Sequence, residues 1–424
     1  MMNPTRRIGA AVTLAAAALV QAACAGDAAH AGPSTTRETI GDTTVIRVAG
    51  EAPRLGVQEE VRIGELDGAD EYTFGRITDV AVAADGRIYV LDGQALNVRI
   101  FAPDGAHLRT FGRSGGGPGE LKQPGGMVFL ADGRLLVRDP GNTRMNIYSA
   151  DGEALTTWPI PGGFFTSAPV FTDRTGRVYS DVIVERDSVT RQFKVGLMRM
   201  DAEGTVLDTI RRPYADYQAP TVSAQRVSAQ GSSMSMSNVP FWPQAVSTLN
   251  REGEFVGGIS DRYAVDTWRA DGTVLRLARD VAPAAVDPAE AQTAVERTTR
   301  SMRNLDAAWK WNAPEPPATK PFFREVRVGE DGRIWVQLSQ PAVRQPPDPD
   351  ARPDPNGLPA LDSWIEPMVY DIFESDGSVV GTVALPDRFR PHTMRGDYVW
   401  GVIRDELDVQ YVVRLKIVPV AQGS

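Results

Sequence analysis

Two segments of the chain align without gaps at an offset of 47 residues: ADGRIYVLDGQALNVRIFAPDG at 84–105 and ADGRLLVRDPGNTRMNIYSADG at 131–152. Each opens on Asp-Gly and carries a second Asp-Gly 19 residues after the first. Between the two pairs lie two short β-rich runs, parted by a loop with Asp92 or Asp139. Asp-Gly flanked by alternating apolar residues signals a hairpin, because a type I′ turn needs φ > 0 at both central positions. Looser copies place the first turn of such a unit at 85, 132, 175, 252, 331 and 396. Each unit therefore reads as four strands, a to d, joined by a tight turn, a loop and a tight turn. One unit cannot bury its own faces, and radial stacking of six gives an all-β, six-bladed β-propeller of four-stranded antiparallel blades.

The last unit lacks a fourth strand after Val418. EVRIGEL at 60–66 is expected to fill that gap, so that the N-terminal strand closes the last blade and removes the open sheet edges. TTVIRVAG at 43–50 is expected to add an outer strand to the same blade. The propeller then spans 43–420, with a helical insertion at 281–322 and a Pro-rich loop at 340–363.

The run FGRSGGGPGELKQPGG at 111–126 poses a choice between a phosphate cradle and a bend. A Walker loop needs lysine directly after its last glycine, whereas Glu120 and Leu121 separate Gly119 from Lys122. The dinucleotide fingerprint GxGxxG also fails, with Glu120 where glycine is required, and no helical pattern follows. The run is expected to carry the chain from strand d of one blade to strand a of the next, where glycine permits bends closed to other residues.

FGRSGGGPGE with a later proline, then GRLLVRD with a later asparagine, then a strand and Asp-Gly, resembles the NHL-repeat pattern of six-bladed propellers. DEYTFGRITDVAVAADGRIYVLD at 70–92 resembles the N-terminal part of exported bacterial proteins of that architecture. The close resemblance covers residues 58–155 and implies fold rather than activity.

Residues 1–23 read as an export signal: MMNPTRR supplies positive charge and IGAAVTLAAAALV an apolar core too short to span a bilayer comfortably. QAAC follows, and Cys24, the one cysteine of the chain, matches the acceptor of bacterial lipoprotein processing, although Gln21 departs from the usual leucine. The expectation is an exported chain in the periplasm or at the cell surface, held to the membrane through an N-terminal lipid only, with 24–42 as a flexible tether. Removing 1–23, which hold two arginines and no acid, takes the net charge from −9 to about −11. That balance excludes a nucleic-acid partner, whose phosphates need a basic face.

In this topology the a–b and c–d turns share one face, and the b–c and d–a connections share the other. The long excursions, 183–192, 211–244, 281–322 and 340–363, are all b–c or d–a connections. One bare face and one elaborated face are expected. Within the excursions, 222–238 is Ser-rich and expected to be mobile, and 341–357 is Pro-rich and expected to be extended. Residues 287–309 read as a helix with Asp287 as cap, Pro288 in the first turn and Glu290 completing a capping box, placed over the propeller mouth as a partial lid or against a blade rim.

Aromatic residues recur in the crossing loops: Tyr72 and Phe74, Phe164 and Phe165, Tyr214, Tyr217, Phe241 and Trp242, Trp309, Trp311, Phe322 and Phe323, and Phe389. With Arg76, Arg138, Arg388, Arg390 and Arg404 they are expected to form an aromatic and cationic funnel. The candidate ligand-binding residues are thus Phe74, Arg76, Arg138, Phe164, Phe165, Trp242, Trp309, Trp311, Phe322, Arg388, Arg390 and Arg404, and the ligand an anionic or carbohydrate-like molecule, a glycan or a protein. Catalysis has little support. Histidines occur at 30, 107 and 392 only, no GxSxG elbow is present, and Asp79, Glu325 and Asn250 lack the spacing of an axial metal site. The reading is therefore a non-catalytic binding propeller without cofactor. A metal-dependent hydrolase or lactonase and a structural platform in an envelope complex are the alternatives.

Overall fold

The computed structural model describes residues 33–160, 169–186, 193–228, 231–347 and 357–420. Cys24, Phe164 and Phe165 lie outside them.

Six antiparallel four-stranded blades follow in chain order. The first comprises Ile77–Val82, Ile88–Asp92, Asn97–Phe101 and His107–Phe111, and the second Gly126–Phe129, Leu135–Asp139, Arg144–Tyr148 and Ala154–Pro159. The third runs Val170–Thr172, Val178–Arg186, Phe193–Met200 and Val206–Ile210. Ala245–Leu249, Phe255–Ile259, Ala264–Trp268 and Val274–Arg279 build the fourth, and Phe323–Val328, Ile334–Leu338, Met368–Phe373 and Val379–Leu385 the fifth. The sixth has Phe389–Arg395, Tyr398–Arg404 and Gln410–Pro419, completed by the N-terminal strand Arg54–Ile63 in the register Gly56↔Val418 to Ile63↔Val412. The N-terminal closure is therefore as expected, with the strand beginning six residues before EVRIGEL.

Alternation within each strand sends apolar side chains to both faces of a blade, and each face meets a neighbour. Six buried clusters result, one per interface. Tyr89, Leu91, Leu135 and Val137 join blades one and two, Leu136, Met145, Val178 and Met198 two and three, and Tyr179, Leu197 and Leu249 three and four. Val256, Val265, Phe323 and Val336 join four and five, Tyr370, Val383, Val399 and Val413 five and six, and Ile63, Trp400, Val80 and Val90 six and one.

The turns differ from the type I′ expectation. In ten of them the glycine alone has positive φ, as at Gly86 (φ 87°) and Gly105 (φ 93°), and its N–H bonds the carbonyl three residues back, as Gly86 to Ala83 at 3.0 Å. These are three-residue type I turns with a glycine bulge. The preceding aspartate selects them: Asp85, Asp104 and Asp132 each accept the backbone N–H two residues ahead, at 3.0–3.1 Å. The sixth a–b turn, Gly396-Asp397, is a two-residue loop with positive φ at the glycine only.

The segment expected as an outer strand of blade six lies elsewhere. Thr43–Ala49 runs parallel to Val274–Arg279 on blade four, from Thr43↔Val274 to Val48↔Arg279. Its Ile46 and Val48 are buried in the core between blades four and five, where Ile46 fits against the Cβ-less Gly377. Burial of these apolar groups decides its position. Ser34–Ile40, assigned to the tether, pairs outside it through a turn at Gly41. Residues 34–63 therefore form a strap across blades four, five and six, touching blade five at Thr382↔Arg54.

Two insertions fold more than their composition suggests. The Ser-rich stretch forms an antiparallel hairpin, Thr221–Ser228 with Gly231–Asn238, and within the Pro-rich excursion Val343–Gln345 pairs with Ser363–Ile365. The helix spans Pro288–Arg303, shorter than 287–309, with the Asp287 carboxylate accepting the Ala289 N–H at 2.8 Å. Glu290 does not complete a capping box; it is buried and ion-paired with Lys320 at 2.7 Å. Met302 and Trp309 pack with Val222, Ala224 and Val239 of the hairpin, so helix and hairpin share a seventh small core.

The d–a crossings into blades one and two are held where they enter the axis. Asp92, fully buried, accepts N–H bonds from Gly75, Arg76, Gln94 and Ala95 at 2.9–3.2 Å. Asp139 does the same for Lys122 and Gln123, at 2.8–3.2 Å. Burial pushes the Asp92 carboxyl up, but its four N–H donors outweigh burial and hold it below the usual carboxylate range.

Two outcomes test this architecture. In the mature chain, deleting residues 33–52 is expected to cost about 3–6 kcal/mol for the apolar groups of the strap while leaving unfolding cooperative, whereas extending the deletion to residue 63 should abolish the cooperative transition. Retention of that transition in the longer deletion would contradict closure by the N-terminal strand. Asp92→Asn should lose about 2–3 kcal/mol at neutral pH by urea denaturation. A carboxyl depressed by folding stabilises above its unfolded value, near pH 4, and loses that contribution as pH falls through the folded one. The gap between wild type and variant should therefore narrow in acid; a gap independent of pH would rule the staple out.

Candidate functional site

The glycine run is a bend with its own anion inside. Gly112, Gly115 and Gly119 have φ of 83°, 150° and 73°, and the Glu120 carboxylate accepts the Gly117 N–H at 2.7 Å and meets Arg113 at 2.9 Å. The Gly117 N–H and Arg113 hold that carboxyl below its usual range. Arg144 donates to the carbonyls of Gly116, Gly117 and Glu120 at 2.6–2.9 Å, leaving no cradle for a phosphate.

The expected funnel residues are not brought together. Phe74 is half-buried, edge-on to Phe101 at 6.2 Å and beneath the Arg99 guanidinium at 4.9 Å. Arg76 is exposed and donates to the Gly93 carbonyl. Arg138 must be corrected: it is fully buried on the second strand of blade two, where burial lowers its pKa against the pull of Asp181. Trp309 is buried in the helix–hairpin core and donates Nε1–H to the Ser223 carbonyl at 2.7 Å, while Trp242 and Trp311 pack half-buried around the same core. Phe322 packs on the core of blades four and five. Arg388 and Arg404 both pair with Asp408, at 2.9 and 3.3 Å, on the b–c turn of blade six. Arg390 alone lines the axis.

The axis is where first strands converge. A cavity of about 400 Å³ is lined by the first strands of all six blades and their adjoining turns. Asp79 and His392 face each other across the seam of blades one and six. The Asp79 Oδ1 lies 2.8 Å from the His392 Nδ1, and its Oδ2 accepts the Met127 N–H of blade two at 2.8 Å. The His392 side chain is 5% exposed, and its Nε2 has no hydrogen-bond partner. Since an ionised carboxylate only accepts, Nδ1 carries a proton.

Three guanidinium groups share this cavity: Arg251, Arg327 and Arg390. Arg327 pairs with Glu325 at 2.8 Å. Arg251 and Arg390 have no ion-pair partner among the described residues, and the Arg251 Nε is buried without a hydrogen bond. The acids of the lining are engaged, Asp79 as above and Glu330 with Arg395. Asn250 is used by its own turn, accepting from Glu252 and Glu254 N–H. The residues considered for an axial metal are thus each committed elsewhere, and among the described residues no three His, Cys, Asp or Glu side chains cluster to hold an ion.

Residues 55–157 match the sequence profile of a family described as a six-bladed β-propeller. The chain is such a propeller. No curated protein matches it in sequence. Among solved structures it is similar to a member of the DUF4221 family from Bacteroides vulgatus, at 11% identity over 87% of this chain and 99% of that one, TM-score 0.49. It is also similar to a Bacteroides fragilis protein named as an exported one, at 9% identity over 88% and 99%, TM-score 0.46. Virginiamycin B lyase from Staphylococcus aureus is similar at 8% identity over 86% and 100%, TM-score 0.41. The assignment follows from strand pairing and the profile, not from these likenesses.

The Asp79–His392 pair escaped sequence reading because each residue was weighed alone. The repeat alignment with N-terminal closure puts both on first strands of adjoining blades, which is the signal that finds them together. Asp79→Asn is expected to weaken the junction of blades six, one and two by about 2–4 kcal/mol, because a carboxamide has one accepting oxygen where the carboxylate accepts from His392 and Met127 through two. Urea denaturation measures this; an unchanged midpoint would show that the pair does not hold the seam.

Proposed function

We propose that the protein is an exported, lipid-anchored propeller of the bacterial envelope that binds a small anionic ligand in its axial channel rather than transforming it. The observation that carries this reading is the pair of guanidinium groups, Arg251 and Arg390, that line the channel with no acidic partner among the described residues. Arg251 is partly buried and Arg390 exposed, and a guanidinium group without an acidic partner offers an anion charge-assisted hydrogen bonds. The cavity size, about 400 Å³, suits a small molecule. The three tryptophans expected in a funnel, Trp242, Trp309 and Trp311, serve the helix–hairpin core instead, which moves the proposed site inward from the loop-bearing face. Support for the anchor is the signal-like segment ending in QAAC at 21–24.

The test is thermal shift of the mature domain with sulfate, phosphate and small carboxylates. A ligand of the native state at about 100 times its Kd adds about 2.7 kcal/mol, a rise of several degrees. Arg251→Gln with Arg390→Gln should remove the shift. An equal shift in the double variant, or none in wild type with any anion, would overturn the reading.

A further inference from the structure

The N-terminal chain joins the fold at one corner. Ser34 pairs with Ala49, and Val48 with Arg279, so Ser34 lies at the end of the fourth strand of blade four, on the loop-bearing face. Arg279 donates to the Gly50 carbonyl at 3.1 Å, and Asp280 then begins the insertion that carries the helix. On this face three inserted elements adjoin. The hairpin Thr221–Ser228 with Gly231–Asn238 packs on the helix through Val222, Ala224 and Met302. The helix holds the blade-five excursion, Arg297 donating to the Asp362 carbonyl at 3.0 Å and Arg300 to the Pro359 carbonyl at 2.6 Å. Successive side chains of a strand point to opposite sides, so Val227 lies on the side of the hairpin away from Val222 and Ala224. Met234 and Met236, paired with Gln225 and Ser223, share that outward side. Val227 is 75% exposed and Met234 39%. In the excursion Val343 and Ile365 are direct partners, 60% and 38% exposed. Residues 217–251, which include the hairpin, contain no acid, whereas the chain holds 54 in 424.

We propose that this module is a membrane foot: the outward side of the hairpin and the Val343–Ile365 pair rest on the lipid surface that holds Cys24. This rests on the reading of Cys24 as a lipid anchor, and it adds which face of the propeller meets the lipid. Nine residues, 25–33, separate Cys24 from Ser34. A fully extended chain gains at most about 3.3–3.6 Å per residue, so an anchored Cys24 keeps the corner at Ser34 within about 35 Å of the bilayer. With the loop-bearing face down, the tether stays slack. With the other face down, it must first run back along the height of the blade, and stretching it costs entropy. Charge selects the same side. An anionic lipid surface repels an acidic protein, and the acid-free hairpin approaches it at least cost. The acidic crossing into blade one, with Glu65, Asp67, Asp70 and Glu71, belongs to the blade opposite blade four in the ring. A few apolar side chains bind a bilayer weakly by themselves. Beside an anchor the contact is intramolecular, and its high effective concentration makes a weak contact sufficient.

Cys24 is the one cysteine, so the mature chain from residue 24 couples at a single point to a maleimide-bearing lipid in vesicles of phosphatidylethanolamine and phosphatidylglycerol. Hydrogen exchange read by mass spectrometry compares coupled with uncoupled protein. Peptides from 221–238 and 358–365 should exchange about threefold more slowly on the vesicles, while the turns at Gly86, Gly105 and Gly133 on the opposite face keep their rates. Val227→Asp with Met234→Asp changes two exposed positions. This variant should keep the melting temperature and lose the slowing at 221–238. Equal rates with and without vesicles, slowing at the opposite face instead, or full slowing in the double variant would each overturn the foot. The anchor is read separately, from the mass of the N-terminal peptide of the protein exported by bacterial cells. A lipidated Cys24 with no slowing on vesicles overturns the foot and leaves the anchor standing. An unmodified Cys24 overturns the anchor and the foot with it.

Discussion

Everything in this fold depends on one strand pairing: Arg54–Ile63 beside Gln410–Pro419. A propeller blade has no core of its own, so each apolar cluster exists only while two blades stay adjacent. Opening the ring at one seam exposes the cluster there and frees two sheet edges. The chain avoids this because Arg54–Ile63 supplies the fourth strand of the last blade. Asp79 and His392 straddle the same region, from blades one and six, and the Met127 N–H brings in blade two. The polar centre of the channel and the seam that closes the ring are therefore one construction, and the site exists only in the closed ring.

The distribution of insertions has a physical cause. On one face, ten turns share a three-residue form with glycine in the left-handed region and a nearby side-chain oxygen capping the turn, a carboxylate or carboxamide in nine and the Ser149 hydroxyl at Gly152. Extra residues there disrupt a glycine bulge and the strand register with it. The other connections are held from inside, by aspartates such as Asp92 and Asp139 at the end of the second strand, and length added beyond those anchors leaves the blade intact. The hairpin Thr221–Ser228 with Gly231–Asn238 and the helix Pro288–Arg303 exploit this, and they pair with each other through Met302, Trp309 and Val222. That mutual packing uses up the tryptophans that looked available for a ligand.

The ring was legible because its signals are local and repeated. Paired Asp-Gly 19 residues apart marks the first two blades, looser turn signals mark the others, and an unpaired strand at each end of the propeller points to closure. What escaped reading depends on long-range placement. Thr43–Ala49 carries an alternation that fits the rim of any blade, and only the pocket beside Gly377 decides for blade four. The Ser-rich hairpin has too little apolar content to announce itself, since Val222 and Ala224 alone are buried on its first strand. Arg138 reads as a surface cation in sequence, yet it sits among inward-facing residues at the end of a second strand. The Asp79–His392 pair is separated by 313 positions and carries no motif, so its meaning appears only when closure makes the two strands neighbours.

The anion binding proposed for the channel runs against the protein's overall charge of −9. At physiological ionic strength the Debye length is about 8 Å, so the distant surface acids are screened from a ligand already inside the axis. Inside, the nearby acids are spent: Asp79 on His392 and a backbone N–H, Glu325 on Arg327, and Glu330 on Arg395. What that pairing leaves unmatched among the described lining residues is two guanidinium groups, Arg251 and Arg390. The global charge sets how fast an anion arrives, slowing it, and the local pairing sets whether it stays. An acidic exterior thus imposes a filter, since multiply charged macromolecular anions feel the surface field over a large area while a small singly charged acid feels it least.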